Sequence, residues 1–186
     1  MSSSDIANQD ATAVQRAYYA ATAEQYDRMH LGGHSEHDFA LRFMISMIGY
    51  MGITSVLDVG SGTGRCLIQI LEALPGITAV GIEPSAALRE IGYHKGLTTS
   101  QLIDGDAFAL AFPDNSFDLV CEFGVLHHLP APSKAASEML RVARKAIFIS
   151  DSNNFGQGGG LSRFVKQALN AADNRQTRIA AAGVPH

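Results

Sequence analysis

The chain has 186 residues, about one domain's worth, with 46% apolar and 17% charged residues, a balance that suits a folded globule rather than a disordered segment. Its formal net charge is −4 and it carries no run of lysine or arginine, so long-range attraction to nucleic acid is not expected. No apolar stretch reaches the length of a membrane span, and Met1-Ser2-Ser3-Ser4-Asp5 lacks the basic-then-apolar pattern of a secretion signal; the expectation is a soluble, cytoplasmic protein with no membrane partner.

In chain order, residues 11 to 30 read as a helical segment carrying Tyr18, Tyr19 and Tyr26, broken by Gly32-Gly33. Ser35, with Asp38 three residues on, marks a second helix start. Leu41, Met44, Ile45 and Ile48 form its apolar face, and Gly49 and Gly52 end it. Val56 to Val59 reads as a buried strand that stops at Gly60-Ser61-Gly62-Thr63-Gly64 and restarts as a helix with Leu67, Ile70, Leu71 and Leu74 in helical period. A strand ending at glycines brings bare backbone close to a ligand, and open α/β sheets bind ligands at that end.

The glycine spacing is G-x-G-x-G, and Arg65 stands where the dinucleotide fingerprint wants its third glycine. Asp58 precedes the loop; a carboxylate there repels a pyrophosphate and favours a cofactor with a cationic amino-acid tail. Residues 77–82 form a second apolar run, ending in Glu83-Pro84-Ser85, and Glu83 lies 19 residues past Gly64, where a carboxylate meets ribose hydroxyls. Pro84 cannot continue a central strand and Ser85 suits a helix N-cap. Leu102-Ile103 leads into Asp104-Gly105-Asp106-Ala107, where the Asp106 carboxylate and the Ala107 N–H could pair with an adenine edge. Residues 117–123 read as a fourth strand, followed by Val125-Leu126-His127-His128-Leu129.

The motifs VLDVGSGTG (56–64), VGIEPS (80–85), GDAFALAFPDNSFDLV (105–120) and VLHHL (125–129), in this order, resemble the class I S-adenosylmethionine-dependent methyltransferases of the small-molecule branch, over about residues 36 to 151. The resemblance implies a glycine loop (Gly60, Ser61, Gly62, Gly64, with Asp58 before it) beneath the methionine part of the cofactor. It implies that Glu83, with Pro84 beside it, binds the ribose and that Asp106 and Ala107 bind the adenine. The backbone after the fourth strand, at Glu122 and Phe123, would face the amino group and the methyl, and Tyr26 would belong to a lid folded over the cofactor. No catalytic residue is implied, because the sulfonium already activates the methyl.

The expected fold is α/β: a doubly wound, mostly parallel sheet with five recognisable strands, each alternating with a helix. Residues 1–35 form a helical lid segment, 36–151 the cofactor-binding domain and 152–186 a flexible glycine-rich tail with a weak helix from Leu161. The last helix of the domain carries Ala136, Met139, Leu140 and Ala143 on one face and Arg141, Arg144 and Lys145 in its final turn, before a strand at Ile147-Phe148-Ile149. The family's proline-glycine turn before that strand is Arg144-Lys145-Ala146 here, and its two last strands are not recognisable. The fifth strand is therefore expected at a sheet edge, in a shortened version of a longer protein or in a homodimer paired along that edge.

The expected activity is methyl transfer to a small-molecule acceptor. The alternatives are a non-catalytic module binding S-adenosylmethionine or S-adenosylhomocysteine and, more distantly, a nucleotide-dependent oxidoreductase. Cys66 and Cys121 lack metal-ligand spacing and read as buried thiols. His30, His34 and His37 read as loop histidines with no metal. Of His127 and His128 at most one can face the cleft, as a wall residue, a proton acceptor or simply part of the turn's packing.

Overall fold

The structure, a computed structural model, describes residues 36–151; the expected lid with Tyr26, the histidines at 30 and 34, and the glycine-rich tail lie outside the described residues. Helix α1 spans Glu36–Tyr50 and buries Leu41, Met44 and Ile48. Strand β1 is Ser55–Val59, α2 Arg65–Ala73, β2 Thr78–Ile82, α3 Ala86–His94, β3 Leu102–Ile103, β4 Phe117–Phe123, α4 Pro132–Val142 and β5 Ala143–Ser150. A single turn of 3₁₀ helix covers Leu126–His128.

The strands form one sheet in the order β3-β2-β1-β4-β5, and all four pairings are parallel. The order reverses between β1 and β4, so the cleft of a doubly wound sheet opens above their carboxyl ends. β1 and β4 are buried along almost their whole length, as central strands covered on both faces must be. One core cluster joins Leu41, Met44 and Ile48 to Val56, Leu67, Ile70 and Leu119 on one face. The other joins Leu57, Val59, Ile82 and Val120 to Met139 and Val142 of α4.

Three expectations need correction. No helix joins β3 to β4; residues 104–116 cross as a loop, so the alternation of strand and helix is interrupted there. α4 buries Met139 as expected, but with Ala135 and Val142 in place of the rest of the expected face, and Leu140 is 60% exposed. The helix also ends three residues earlier than its basic residues suggested. Ala143 turns extended at the C-cap, and Arg144 and Lys145 lie in β5, which runs from 143 to 150 rather than 147 to 149. Their charge was read as helix-dipole complement, but both pair with Asp118, each at 3.5 Å, and the Lys145 ammonium also donates to the Gly52 carbonyl at 2.7 Å. Among the described residues β5 is an edge strand, and Ile149 is 42% exposed on it.

Candidate cofactor site at the carboxyl ends of β1, β2 and β4

The glycine loop is held down onto the tip of β2. The Gly60 and Ser61 N–H groups both donate to the Ile82 carbonyl at 2.9 Å. Gly60 has φ +73°, and a Cβ there would lie 2.5 Å from Val125 Cγ2, so the residue has neither the backbone freedom nor the room for a side chain. The Ser61 hydroxyl donates to Asp58 Oδ2 at 2.6 Å, and the Cys121 thiol lies 3.9 Å from Oδ1. Arg65 is turned away from the cleft onto Asp38 of α1 at 2.7 Å. The position that breaks the dinucleotide spacing thus fastens α1 to the start of α2.

Glu83 is 6% exposed, and both of its oxygens are engaged. Oε2 accepts from the Gly62 N–H at 3.0 Å and Oε1 from the Ser85 N–H at 2.8 Å. The carboxylate therefore sets the loop as well as offering remaining lone pairs to a ligand. Ser85 occupies the N-cap of α3, but its side chain makes no capping bond; its backbone N–H is spent on Glu83. Arg89 donates to the Glu83 carbonyl and, at 2.7 Å, to Asp104. Asp106 is exposed, and its Oδ1 accepts from the Phe108 N–H at 2.9 Å, which shapes a tight turn around Ala107.

Glu122 is fully buried near the end of β4. Its Oε2 accepts from the Val125 N–H at 2.8 Å, and among the described residues its Oε1 has no hydrogen-bond partner. A buried acceptor without a donor is costly unless something else supplies one. Burial pushes the Glu122 carboxyl up to about 7, with the charge of Asp151 adding to it. Burial likewise raises Asp58 to about 6, against the Ser61 hydroxyl bond, and raises Glu83 against its two backbone donors. Three acids with raised pKa, gathered where the strand order reverses, mark a ligand site.

His127 and Asp151 form a pair that the sequence alone did not join. The His127 N–H donates to Asp151 Oδ2 at 2.8 Å, and the ring Nδ1 bonds Oδ1. His128 is exposed and His127 half-buried, and their rings lie together with centroids 3.8 Å apart. The signal was available in part: Asp151 ends the fifth strand as His127 follows the fourth, and adjacent parallel strands bring those positions together. His37 bonds the Ser150 hydroxyl through Nδ1 at 2.9 Å, and among the described residues no three His, Cys, Asp or Glu side chains are grouped to hold a metal. Cys66 and Cys121 are free and buried. A separate apolar cavity of about 170 Å³, lined by Phe43, Met47, Met51, Leu119 and Phe148, lies between α1 and β5.

Residues 57–149 match a family profile described as a methyltransferase domain. The chain belongs to this family. The demethylmenaquinone methyltransferase of Renibacterium salmoninarum is 35% identical over 103 residues, 55% of this chain and 42% of that protein. The 2-methyl-6-phytyl-1,4-hydroquinone methyltransferase of Synechocystis is 32% identical over 144 residues, 68% of this chain and 45% of the relative. This chain thus spans about half the length of these curated relatives. Among solved structures, an S-adenosyl-L-methionine-dependent methyltransferase fold from Methanococcus maripaludis superposes with a TM-score of 0.58 at 20% identity, over 86% of this chain and 74% of that one. What this domain shares with that structure is the fold, a parallel sheet with flanking helices, of which five strands are described here.

Proposed function

We propose that the domain binds S-adenosylmethionine and transfers its methyl group to a small-molecule acceptor, leaving S-adenosylhomocysteine. The observation that carries this reading is the buried Glu122 with its partnerless Oε1, standing with Asp58 beside a loop of bare glycine backbone. A cofactor with an α-ammonium tail supplies the missing donor and the missing positive charge; a pyrophosphate supplies neither. The glycine loop (Gly60, Ser61, Gly62, Gly64) would lie under the methionine part, Glu83 and Pro84 against the ribose, Asp106 and Ala107 against the adenine, and Phe123 near the methyl. Tyr26, outside the described residues, is proposed as a lid residue.

The bound cofactor supplies a sulfonium methyl ready for in-line displacement. What the chain contributes is position and a water-poor pocket. Asp58 and Glu122 hold the cationic tail, and the Gly62–Glu83 bond, at 3.0 Å, keeps the loop and the ribose acceptor in fixed relation. The two relatives above carry quinone and hydroquinone acceptors in their names, which supports an aromatic acceptor for this chain. Two buried free thiols fit a cytoplasmic setting. Self-pairing along the β5 edge is the proposed mode of association, read by light scattering after gel filtration; a monomer at tens of micromolar rejects it.

Calorimetric titration tests the cofactor reading. S-adenosylhomocysteine should bind and NAD should not. Binding of NAD in preference would replace this reading with the oxidoreductase one. Turnover of labelled S-adenosylmethionine with a panel of small acceptors separates an enzyme from a binding module.

A further inference from the structure

We propose that the outward face of α1, continued by the β5 edge, is the surface on which this chain docks a second copy of itself. The inference rests on the association proposed above and adds the helix to the strand. From Phe39 to Met51 every residue is apolar, aromatic or glycine except Arg42 and Ser46. At about 3.6 residues per turn these side chains cover roughly two-thirds of the helix circumference, whereas packing on one sheet needs an arc of about 100°. Leu41, Met44 and Ile48 fill the arc that faces the sheet. Phe39, Phe43, Met47 and Tyr50 recur at i, i+4, i+8 and i+11, which puts them on a second arc, and Met51 follows at the helix end. Phe39 is 76% exposed, Phe43 54% and Tyr50 87%. Phe43, Met47 and Met51 also wall the apolar cavity, whose other side is Leu119 of β4 with Ala146 and Phe148 of β5. The bare arc of the helix and the sheet edge at β5 are therefore one continuous surface.

Area, symmetry and charge select a second copy as the occupant. The exposed fractions of Phe39, Phe43 and Tyr50 amount to about two whole aromatic side chains, and with Met51, Ile149 and the cavity wall the patch reaches roughly 600 Å². Two such patches face to face bury about 1,200 Å², enough for a stable interface, whereas about 600 Å² is the upper end of what a monomer leaves bare. β5 can pair antiparallel with its own copy about a two-fold axis normal to the sheet, which keeps each face of the sheet on its own side. Both copies of α1 then lie on the same side of the joined sheet, with the arc that adjoins β5 turned toward the axis. Arg144 and Lys145, the basic residues of this edge, are held by Asp118 at 3.5 Å. Among the described residues the patch thus lacks the cationic cluster that an anionic lipid surface calls for. The surface is also preformed. Asp38 in the first turn of α1 bonds Arg65 at 2.7 Å, and His37 bonds the Ser150 hydroxyl at 2.9 Å, so little ordering opposes the contact.

The test is sedimentation velocity of the full chain from micromolar to tens of micromolar, where a dimer should form. Phe43→Glu should weaken that dimer at least tenfold, because it buries a charge in an apolar contact. Leu140→Glu should leave it unchanged, since Leu140 is an exposed leucine of α4, which packs on the other core cluster and lies outside the patch. Oxidation of Met47→Cys should give a covalent dimer and oxidation of Leu140→Cys should not, which keeps the proposal testable if the glutamate variant does not fold. A parent that stays monomeric overturns the proposal together with the strand pairing. An unchanged dimer in folded Phe43→Glu overturns it alone and leaves β5 as the whole contact. Absence of the Met47→Cys cross-link in a dimeric protein does the same. Binding of the parent, but not of Phe43→Glu, to phosphatidylglycerol vesicles overturns it in favour of a lipid surface.

Discussion

Where β4 begins, Asp118 accepts from the Thr54 N–H at 2.9 Å and hydroxyl at 2.8 Å, and Arg144 and Lys145 flank it at 3.5 Å. Close by, Glu138 is pinned by Arg141 at 2.7 Å and accepts from the Leu110 N–H at 2.9 Å. The Thr54 amide holds Asp118 below the usual carboxylate range, and the Arg141 hydrogen bonds pull Glu138 down to about 2. At the other end of the same strands, Asp58, Glu83 and Glu122 hold backbone amides, a hydroxyl and a thiol, and burial raises all three. The same residue types serve opposite ends because their partners differ. The first group locks α4, the following strand and the loop before β4 together. The second stores an electrostatic demand that the proposed cationic ligand would meet.

The comparison breaks most sharply at the glycine loop. Gly60→Ala places a Cβ 2.5 Å from Val125 Cγ2 on a left-handed backbone, which should lower stability by about 2–4 kcal/mol. Binding of S-adenosylhomocysteine should fall at least 100-fold in protein that remains folded by circular dichroism. Gly76, in the turn leading to β2 at the opposite end, also has positive φ but nothing within 4 Å of a Cβ. Gly76→Ala should cost about 1–2 kcal/mol and leave binding intact. Equal loss of binding in both variants would mean that the loop acts through global stability alone.

Glu122 comes next, with a sign opposite to that of most core mutations. Its folded pKa lies near 7 against an ordinary 4.5, so its contribution to stability is complete below pH 4.5 and is lost as pH rises through 7. The isosteric Glu122→Gln should therefore stabilise the ligand-free protein at pH 8 by up to about 3 kcal/mol, with little effect at pH 4. The same change should weaken S-adenosylhomocysteine tenfold or more, because the buried charge that answers the ammonium is gone. Thermal melts across pH with and without the ligand read both effects. A variant destabilised at pH 8 would show that Glu122 is satisfied without a ligand.

What the sequence disclosed divides along the same line. The carboxyl-end motifs were legible because close approach requires glycine, and because Asp58, Glu83 and Asp106 sit at strand tips where periodicity stops. The burial of the Glu122 carboxyl, in a strand whose residues 117–122 are all buried, is a tertiary property that the local pattern FDLVCEF does not carry. The pairing of His127 with Asp151 spans 24 residues and depends on the β4–β5 register, which no local pattern encodes. The amino-end network was missed for another reason. Arg144 and Lys145 followed a helix and read as its last turn, yet α4 passes into β5 with no loop, and tertiary pairing with Asp118 decides their conformation.

Glu83→Gln sharpens the comparison inside the site. A neutral amide keeps one acceptor oxygen, so either the Gly62 or the Ser85 N–H loses its partner as well as the ribose. Loss of charge-assisted bonds predicts a tenfold to hundredfold weaker S-adenosylhomocysteine, about 1.4–2.7 kcal/mol by calorimetry. If affinity is unchanged in folded protein, the carboxylate only props the loop.

The smallest effect belongs to the amino end. Glu138 has a folded pKa near 2 against an ordinary 4.5, so its stabilisation is present above pH 4.5 and is lost as pH falls toward 2. The side chain is partly solvated, at 21% exposure, and water screens the pair with Arg141. Glu138→Gln should therefore cost only about 1 kcal/mol at pH 7, and the gap to the parent should close as the pH approaches 2. Ligand affinity should change at most a few-fold, since the network reaches the proposed adenine side only through Leu110 and Phe112 of the loop that carries Asp106 and Ala107. Coupling is measured directly in the Glu138→Gln/Glu122→Gln double variant. The two sites lie at opposite ends of the sheet and share no partner, so their stability changes should add to within about 0.5 kcal/mol. A larger departure would show that β4 transmits charge from one end of the domain to the other, and the division between a locked end and a ligand-demanding end would fall.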